Sequence, residues 1–124
     1  MVFQRGRFAG NGWVIGHMGE GVPRTRDVGV KWAFQPKGDA GWEWRRCGKA
    51  TTLSVLISGR FLMEFRNAPG GKPFAKRIIF KNCGDYAIFD KDVEHRSKAL
   101  EDTWFLTIRW PSKQGDCGAL KKKN

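Results

Sequence analysis

The sequence contains little histidine, little tyrosine and no long apolar run. Among its 124 residues are two histidines, His17 and His95, and a single tyrosine, Tyr86. No apolar stretch approaches the roughly 18 residues that a membrane-spanning helix requires, so we expect no membrane partner. The first residues, MVFQRGRFAGNG, lack the apolar core of a secretory signal, which predicts a cytoplasmic protein.

The three cysteines form no recognisable metal motif. Cys47, Cys83 and Cys117 are an odd number, include no CxxC pair and lack the spacing of a zinc knuckle. We therefore expect three reduced thiols, at least one of which packs as a small apolar side chain. A disulfide between Cys47 and Cys83 is the less favoured alternative.

Acidic residues are also few, since 12 of them stand against 23 lysines and arginines. The resulting net charge of +11 attracts anions, which include nucleic acids, acidic proteins and small phosphorylated or carboxylated molecules. The basic residues are spread along the chain, so no segment looks like a dedicated nucleic-acid arm. Their one run, Lys121 to Lys123, predicts a solvated end. We expect one domain, residues 1–112, and a basic, flexible C-terminal tail, residues 113–124.

Apolar and polar residues alternate with the period of two that is typical of β-strands. Val30, Trp32 and Phe34, for example, alternate with Lys31 and Ala33. Predicted strands lie within residues 12–18, 27–34, 42–47, 51–66 (two strands), 75–81, 85–90, 94–99 and 103–110. About eight or more short strands without an amphipathic helix predict an all-β sandwich or barrel, and a double-sheet jelly roll is one way to bury their edges.

Several predicted strands have one apolar face and one face of small polar residues. Thr52 and Ser54 share a face in residues 51–58, and Leu53 and Val55 lie on the opposite face. A small polar face can line a cavity or can be an ordinary solvent face, and the pattern fits both.

The segment GDYAIFDKDVEH is similar to the second sequence motif of the cupins. In that motif a glycine is followed by a proline, a second glycine and a metal-binding histidine. Gly84 and His95 match the two ends, while Asp90 and Asp92 stand at the positions of the proline and the second glycine. Gly59, in LSVLISGRFLMEF, matches the hairpin glycine that ends the first motif.

Longer stretches carry the same resemblance. VKWAF, ATTLSVLISGRF and LEDTWFLTIRWPS are similar to a group of small, poorly characterised bacterial cupin-domain proteins. The resemblance extends from Gly41 to Trp110, over half of the chain. It implies a small single-domain cupin of the RmlC-like type, whose fold is a double-stranded β-helix, or jelly-roll barrel.

Most of the motif positions that hold the metal in cupins are changed in this sequence. The resemblance places the four ligand positions at Arg45, Cys47, Thr52 and His95. An arginine is always protonated and cannot coordinate a metal, and a threonine hydroxyl poorly replaces a carboxylate. Cys47 and His95 are fewer than the three or four ligands that Zn²⁺ or Fe²⁺ takes, and His17 helps only if the fold brings it close. We expect no cofactor, with a divalent metal as the less favoured alternative.

The first functional hypothesis is a binding module with a degenerate metal site. The predicted cavity is lined by Arg45, Cys47, Thr52, Ser54 and His95, with Trp42, Trp44 or Trp104 near its mouth. Arg45 and the general positive field favour a carboxylate or phosphate group on the ligand. We therefore expect a small anionic ligand as the partner.

The second hypothesis is a cupin enzyme of the isomerase, epimerase or oxygenase type, with or without a metal. His95 would be the base, because histidine titrates near neutrality. Cys47 as a nucleophile, or Glu43 or Glu64 as an orienting carboxylate, would assist it. Tyr86 would be the acid, although a core aromatic role suits it better. The sequence alone does not decide whether the protein is an enzyme.

The third hypothesis is a nucleic-acid-binding β-domain. Tryptophan and arginine alternate in WEWRR and TIRW, which permits bases to stack on a sheet. Acidic residues interrupt the basic ones along most strands, and no known nucleic-acid motif is present. Nucleic acid is therefore the less favoured partner.

The abundance of large aromatic residues predicts a homodimer. Six tryptophans and nine phenylalanines are more than a small barrel interior holds if its cavity face is polar. The aromatic residues on faces opposite the small polar residues are Trp32, Phe34, Trp42, Trp44, Trp104 and Trp110. We expect a second copy of the chain to cover those that remain exposed.

Overall fold

A computed structural model of the chain describes residues 13–15, 25–38, 42–67, 76–113 and 116–119. These residues form ten strands and no helix, so none of them provides a helical membrane span. The strands are β1 (Trp13–Ile15), β2 (Gly29–Gln35), β3 (Arg45–Cys47), β4 (Thr51–Ser58), β5 (Phe61–Asn67), β6 (Lys76–Phe80), β7 (Tyr86–Phe89), β8 (Val93–Ala99), β9 (Thr103–Trp110) and β10 (Cys117–Ala119).

The strands form two five-stranded antiparallel sheets. We call them sheet A, in the order β1-β2-β9-β4-β7, and sheet B, in the order β10-β3-β8-β5-β6. Neighbours in each sheet are mostly distant in sequence, as in a jelly roll, where strands cross between the two sheets. The predicted all-β, two-sheet fold is confirmed.

The hydrophobic core lies between the sheets, on the side where β4 and β7 face β5 and β6. Alternation turns every second residue of these strands inward. Ring centroids are 5.2 Å apart between Phe65 and Phe89 and 5.0 Å apart between Phe61 and Phe105. The buried core residues are Leu56, Phe61, Met63, Phe65, Phe80, Ala87, Phe89 and Ala99.

Two turns explain residues that the motif resemblance singles out. Gly59, between β4 and β5, has a φ of 101°, and a Cβ there would lie 2.3 Å from the carbonyl oxygen of Asp102. Only glycine fits such a position. Asp92, at the motif position of the second glycine, has a φ of 69°, a conformation that aspartate tolerates better than most residues. The turn therefore accommodates an aspartate where the motif has a glycine.

A disulfide joins Cys47 to Cys117, so the prediction of three reduced thiols is wrong for these two residues. The alternative, Cys47 with Cys83, is wrong as well, because Cys83 is an exposed free thiol. The physical cause is the register of β10 on β3, which places Cys117 directly opposite Cys47 with Cα atoms 4.0 Å apart. Strand pairing of this kind is not visible in cysteine spacing.

Strand β10 lies inside the segment 113–124, where the sequence predicts a flexible tail. Its three residues pair with all of β3, and the backbone amide of Gly48 donates to the carbonyl oxygen of Asp116. Short strands with a central glycine lack the alternating pattern from which strands are predicted. The boundary at residue 112 stays a prediction, and Lys121 to Lys123 lie outside the described residues.

Candidate functional site

A cavity of about 440 Å³ lies between the two sheets, on the side away from β6. This volume is within the range of small-molecule sites, roughly 300–1,000 Å³. The cavity is lined by Lys31, Gln35, Glu43, Arg45, Thr52, Ser54, Phe61, Met63, Phe89, His95, Arg96, Ser97, Phe105, Thr107 and Arg109.

Strand register aligns the polar lining residues of sheet A. Thr107 of β9 pairs with Lys31 on one side and with Ser54 on the other. One step along the same strands, Arg109 pairs with Thr52. Because paired residues in a sheet point to the same face, these side chains form two adjacent rows on the inner face.

Sheet B supplies the opposite wall. Arg45 is the residue of β3 that pairs with His95 of β8, so the two side chains share a face. The chain before β3 continues this alternation. Glu43 lines the cavity, whereas Trp42 and Trp44 cover the guanidinium group of Arg96, 4.2 and 4.5 Å from their ring centroids.

The structure brings together four of the five predicted site residues. Arg45, Thr52, Ser54 and His95 line one cavity. Cys47 is not among the lining residues, because it is held in the disulfide and is only 3% exposed.

Of the residues expected at the mouth or as helpers of His95, Glu43 lines the cavity and the others lie elsewhere. Neither Trp42, Trp44 nor Trp104 lines the cavity, and Trp104 stacks with Phe34 with ring centroids 4.7 Å apart. Glu64 does not line the cavity either, because it lies on the opposite face of β5 from Met63, where its carboxylate oxygens bind arginines. His17 lies outside the described residues.

Lys31, Thr107 and Arg109 are lining residues that the sequence analysis missed. The alternation in TWFLTIRW placed Thr107 and Arg109 on the less apolar face of their strand, which was the available signal. The missing information was the pairing of β9 between β2 and β4, which carries that face to the cavity.

His95 is a neutral imidazole near pH 7. Burial, together with the positive charges of Arg109 and Arg45, lowers the pKa of His95 to about 4, and a hydrogen bond to the carbonyl of Val93 opposes this only in part. Nδ1 lies 3.4 Å from that carbonyl oxygen and is its donor, which leaves Nε2 as an acceptor. The ring also packs on Phe89, with centroids 4.7 Å apart.

Three cations gather around the cavity and affect one another. Burial lowers the pKa of Lys31, and the positive charges of Arg109 and Arg45 lower it further. Burial also lowers the pKa of Arg109, as does Arg45, while Asp116 opposes this change. Glu43 is the one carboxylate among the fifteen lining residues, and Arg96 already pairs with Glu64 at 2.8 Å. The cavity therefore has an excess of positive charge.

The hydroxyl group of Thr52 is a buried polar group in the wall of the cavity. Thr52 is 2% exposed, and its Oγ1 has no hydrogen-bond partner among the described residues. A buried polar group left in this state costs roughly 1–3 kcal/mol. A bound acceptor would recover part of that free energy.

These residues do not fit the metal that cupin motifs imply. The four motif positions offer one imidazole, a guanidinium, a threonine hydroxyl and a sulfur held in a disulfide. Only His95 is a good ligand for a divalent cation. Among the described residues, the only cluster of three or more histidine, cysteine or acidic side chains is Cys47, Asp116 and Cys117. Two of its members, Cys47 and Cys117, are joined to each other by the disulfide.

Comparison with known proteins gives matches of structure only. No family model matches the sequence, and no curated protein does. KdgF from Halomonas sp. superimposes with a TM-score of 0.58 at 19% identity, over 75% of this chain and 76% of that one. A cupin-2 domain protein from Shewanella frigidimarina gives 0.52 at 18%, over 68% and 71%.

A larger enzyme contains the same fold as one part. Oxalate decarboxylase from Bacillus subtilis superimposes with a TM-score of 0.62 at 16% identity, over 77% of this chain but only 24% of the enzyme. Identities this low establish the fold and no more. The protein thus has the double-stranded β-helix fold of small cupins, as the motif resemblance predicted.

Proposed function

We propose that the protein binds a small anionic molecule in the cavity between its two sheets. The observation that carries this proposal is the convergence of Lys31, Arg45 and Arg109 on one cavity that contains a single carboxylate, Glu43. Like charges in a partly buried site repel one another more strongly than they do in water. An anion bound between the three cations replaces this repulsion with attraction.

The polar groups around the cations suit a carboxylate or a phosphate. Guanidinium groups bind the oxygens of both in a bidentate manner. The hydroxyl groups of Thr52, Ser54 and Thr107 lie in the adjacent rows of sheet A and can donate to further oxygens. A volume of about 440 Å³ suits a small molecule better than a nucleic acid, since single-strand sites extend over roughly 4–16 nucleotides.

Binding is favoured over catalysis by the state of the candidate catalytic groups. A base with a pKa of about 4 is poorly matched to proton abstraction near neutrality. Tyr86 is 64% exposed and lies on the opposite face of β7 from the buried Ala87 and Phe89, so it does not reach the cavity as an acid. Cys47 is held in the disulfide and is not available as a nucleophile.

Calorimetric titration with inorganic phosphate and with benzoate tests the proposal. Arg45→Gln should weaken binding by roughly 10- to 100-fold, because a hydrogen bond to a charged group contributes about 1.5–3 kcal/mol. The matched control is Arg46→Gln, which removes the same charge from the neighbouring residue of β3, on its opposite face. Equal losses in both variants would mean that only the general field attracts the anion. If neither phosphate nor benzoate binds to the unmodified protein, the proposal is rejected.

A further inference from the structure

The cations of the cavity and most of its aromatic residues lie towards opposite ends of the strands; the exception is Phe89, which pairs with Thr52 in the same row as Arg109. In sheet A the inner rows run from Arg109 and Thr52, through Thr107 and its partners, to Phe105 and Leu56. In sheet B the inner rows begin with Arg45 and His95, on the side of Arg109 and Thr52, and end with Ala99 and Phe61. The two apolar ends meet, since Phe61 and Phe105 have ring centroids 5.0 Å apart.

The apolar lining is continuous with the hydrophobic core. Phe61, Met63 and Phe89 are members of the core cluster, and Phe105 packs against it. Nevertheless all four side chains also form part of the cavity wall. These side chains are mostly buried, with Phe61 3% and Met63 4% exposed, so the apolar surface left for a ligand to cover is small.

A simple anion would use only half of this wall. A cavity of about 440 Å³ corresponds to about fifteen water molecules, at the liquid share of about 30 Å³ each. Acetate or phosphate bound at the cations would leave most of that volume as water against aromatic rings. Covering apolar surface is favourable by roughly 25 cal/mol per Å², so a ligand with an apolar body gains where a small anion does not.

We propose that the ligand is an amphipathic organic carboxylate. Its carboxylate lies at Lys31, Arg45 and Arg109, and its aliphatic or aromatic body lies against Phe61, Met63 and Phe105. This inference rests on the proposed anion-binding function and adds the chemical class of the molecule.

The test is a calorimetric series of straight-chain carboxylates from acetate to octanoate, with 3-phenylpropionate, inorganic phosphate and the neutral hexanamide. Affinity should rise about fourfold for each methylene added between acetate and hexanoate, since a buried methylene contributes about 0.8 kcal/mol. Hexanamide should bind at least tenfold more weakly than hexanoate, because it lacks the charge that the cations attract.

Two variants locate the body of the ligand. Met63→Gln should reduce the gain in affinity per methylene. Its control is Leu62→Gln on the same strand, which lies on the outer face and should leave that gain unchanged. Unfolding curves establish that both variants are folded. The dependence of affinity on chain length is measured on the unmodified protein and does not require either variant.

The outcomes distinguish a failure of the amphipathic ligand alone from a failure of anion binding. If affinity does not increase with chain length while binding still depends on Arg45, the amphipathic ligand is rejected and the anion-binding function stands. If hexanamide binds as well as hexanoate, the cavity is a neutral apolar site and both proposals fail. If no probe binds, both fail together.

Discussion

His95 is the residue whose ionisation couples most directly to the fold. Its surroundings combine a buried position and two arginine side chains, both of which favour the neutral ring. In the unfolded chain the same imidazole has a pKa near 6.5, the ordinary value for histidine. Between these two pKa values the unfolded state binds a proton that the folded state does not.

Stability should therefore fall as the pH is lowered below about 6.5. The folded pKa is below the unfolded one, so the contribution of His95 is fully present above pH 6.5 and is lost as the pH falls towards 4. Between pH 7 and pH 5 the expected loss is about 2 kcal/mol in the free energy of unfolding. Urea denaturation at the two pH values measures it.

The control for this prediction is His95→Gln, which keeps a polar side chain that does not titrate. The variant should lose at least 1 kcal/mol less than the unmodified protein over the same pH interval, by the same linkage argument. Equal losses in the two proteins would show that other groups cause the pH dependence.

At the level of strands, β10 is the element that the disulfide attaches. It is three residues long and pairs along β3, the strand that also carries Arg45 to the cavity. Short edge strands gain little from their own hydrogen bonds. The covalent link between Cys47 and Cys117, 70 residues apart, is therefore expected to be a major part of what keeps β10 in place.

Reduction of the disulfide should lower the free energy of unfolding. The loop-entropy relation gives about 4 kcal/mol for a loop of this length, and native-state effects make smaller losses common. Guanidinium denaturation with and without a phosphine reductant measures the change, and Cys117→Ala should reproduce it without reductant. Cys83→Ala is the matched control and should have no effect, because Cys83 is exposed and unbridged. Insensitivity of the unmodified protein to reductant would contradict the prediction.

The strands also show which parts of the structure can be predicted from the sequence. Alternation in TTLSVLIS correctly placed Thr52 and Ser54 on the face opposite Leu53 and Val55, because side-chain direction in a strand depends only on residue parity. Which strands become neighbours depends on long-range pairing, which parity does not encode. For that reason Lys31 and Arg109 were missed as lining residues, and the disulfide between Cys47 and Cys117 was not predicted.

The cellular location of the protein is another point that residue parity does not decide. The sequence predicts a cytoplasmic protein, and that prediction is not tested by the fold. Disulfides are more common in oxidising compartments than in the cytosol, so the Cys47–Cys117 link is an argument against the prediction. The chain has no helical membrane span among its described residues.

At the scale of the whole molecule, the outer face of sheet A exposes several large apolar side chains. Phe34 is 46% exposed and Trp104 is 40% exposed, and the two rings are in contact. Trp32 extends this group, with its ring centroid 6.0 Å from that of Trp104. On β7, at the far edge of the same sheet, Tyr86 and Ile88 are exposed. Apolar groups of this kind on one surface usually mark an interface.

We propose that a second copy of the chain covers this face of sheet A. A symmetric dimer pairs the face with itself, which is the commonest way to bury such a surface. The net charge of +11 on each copy opposes association, so screening by salt should strengthen the dimer. A specific contact requires a total buried area above about 1,000 Å².

Light scattering at micromolar concentration tests the dimer, since the chain has a mass of 14.1 kDa and the dimer twice that. Trp104→Glu should shift the protein to the monomer, because it places two like charges in an apolar interface. Ile79→Glu is the matched control: Ile79 is 49% exposed but lies on β6 of sheet B, so the substitution should leave the dimer intact. Dissociation by Ile79→Glu but not by Trp104→Glu would assign the interface to the other sheet. A 14 kDa species alone, at both low and high salt, would show that the aromatic face of sheet A is not covered by a second copy.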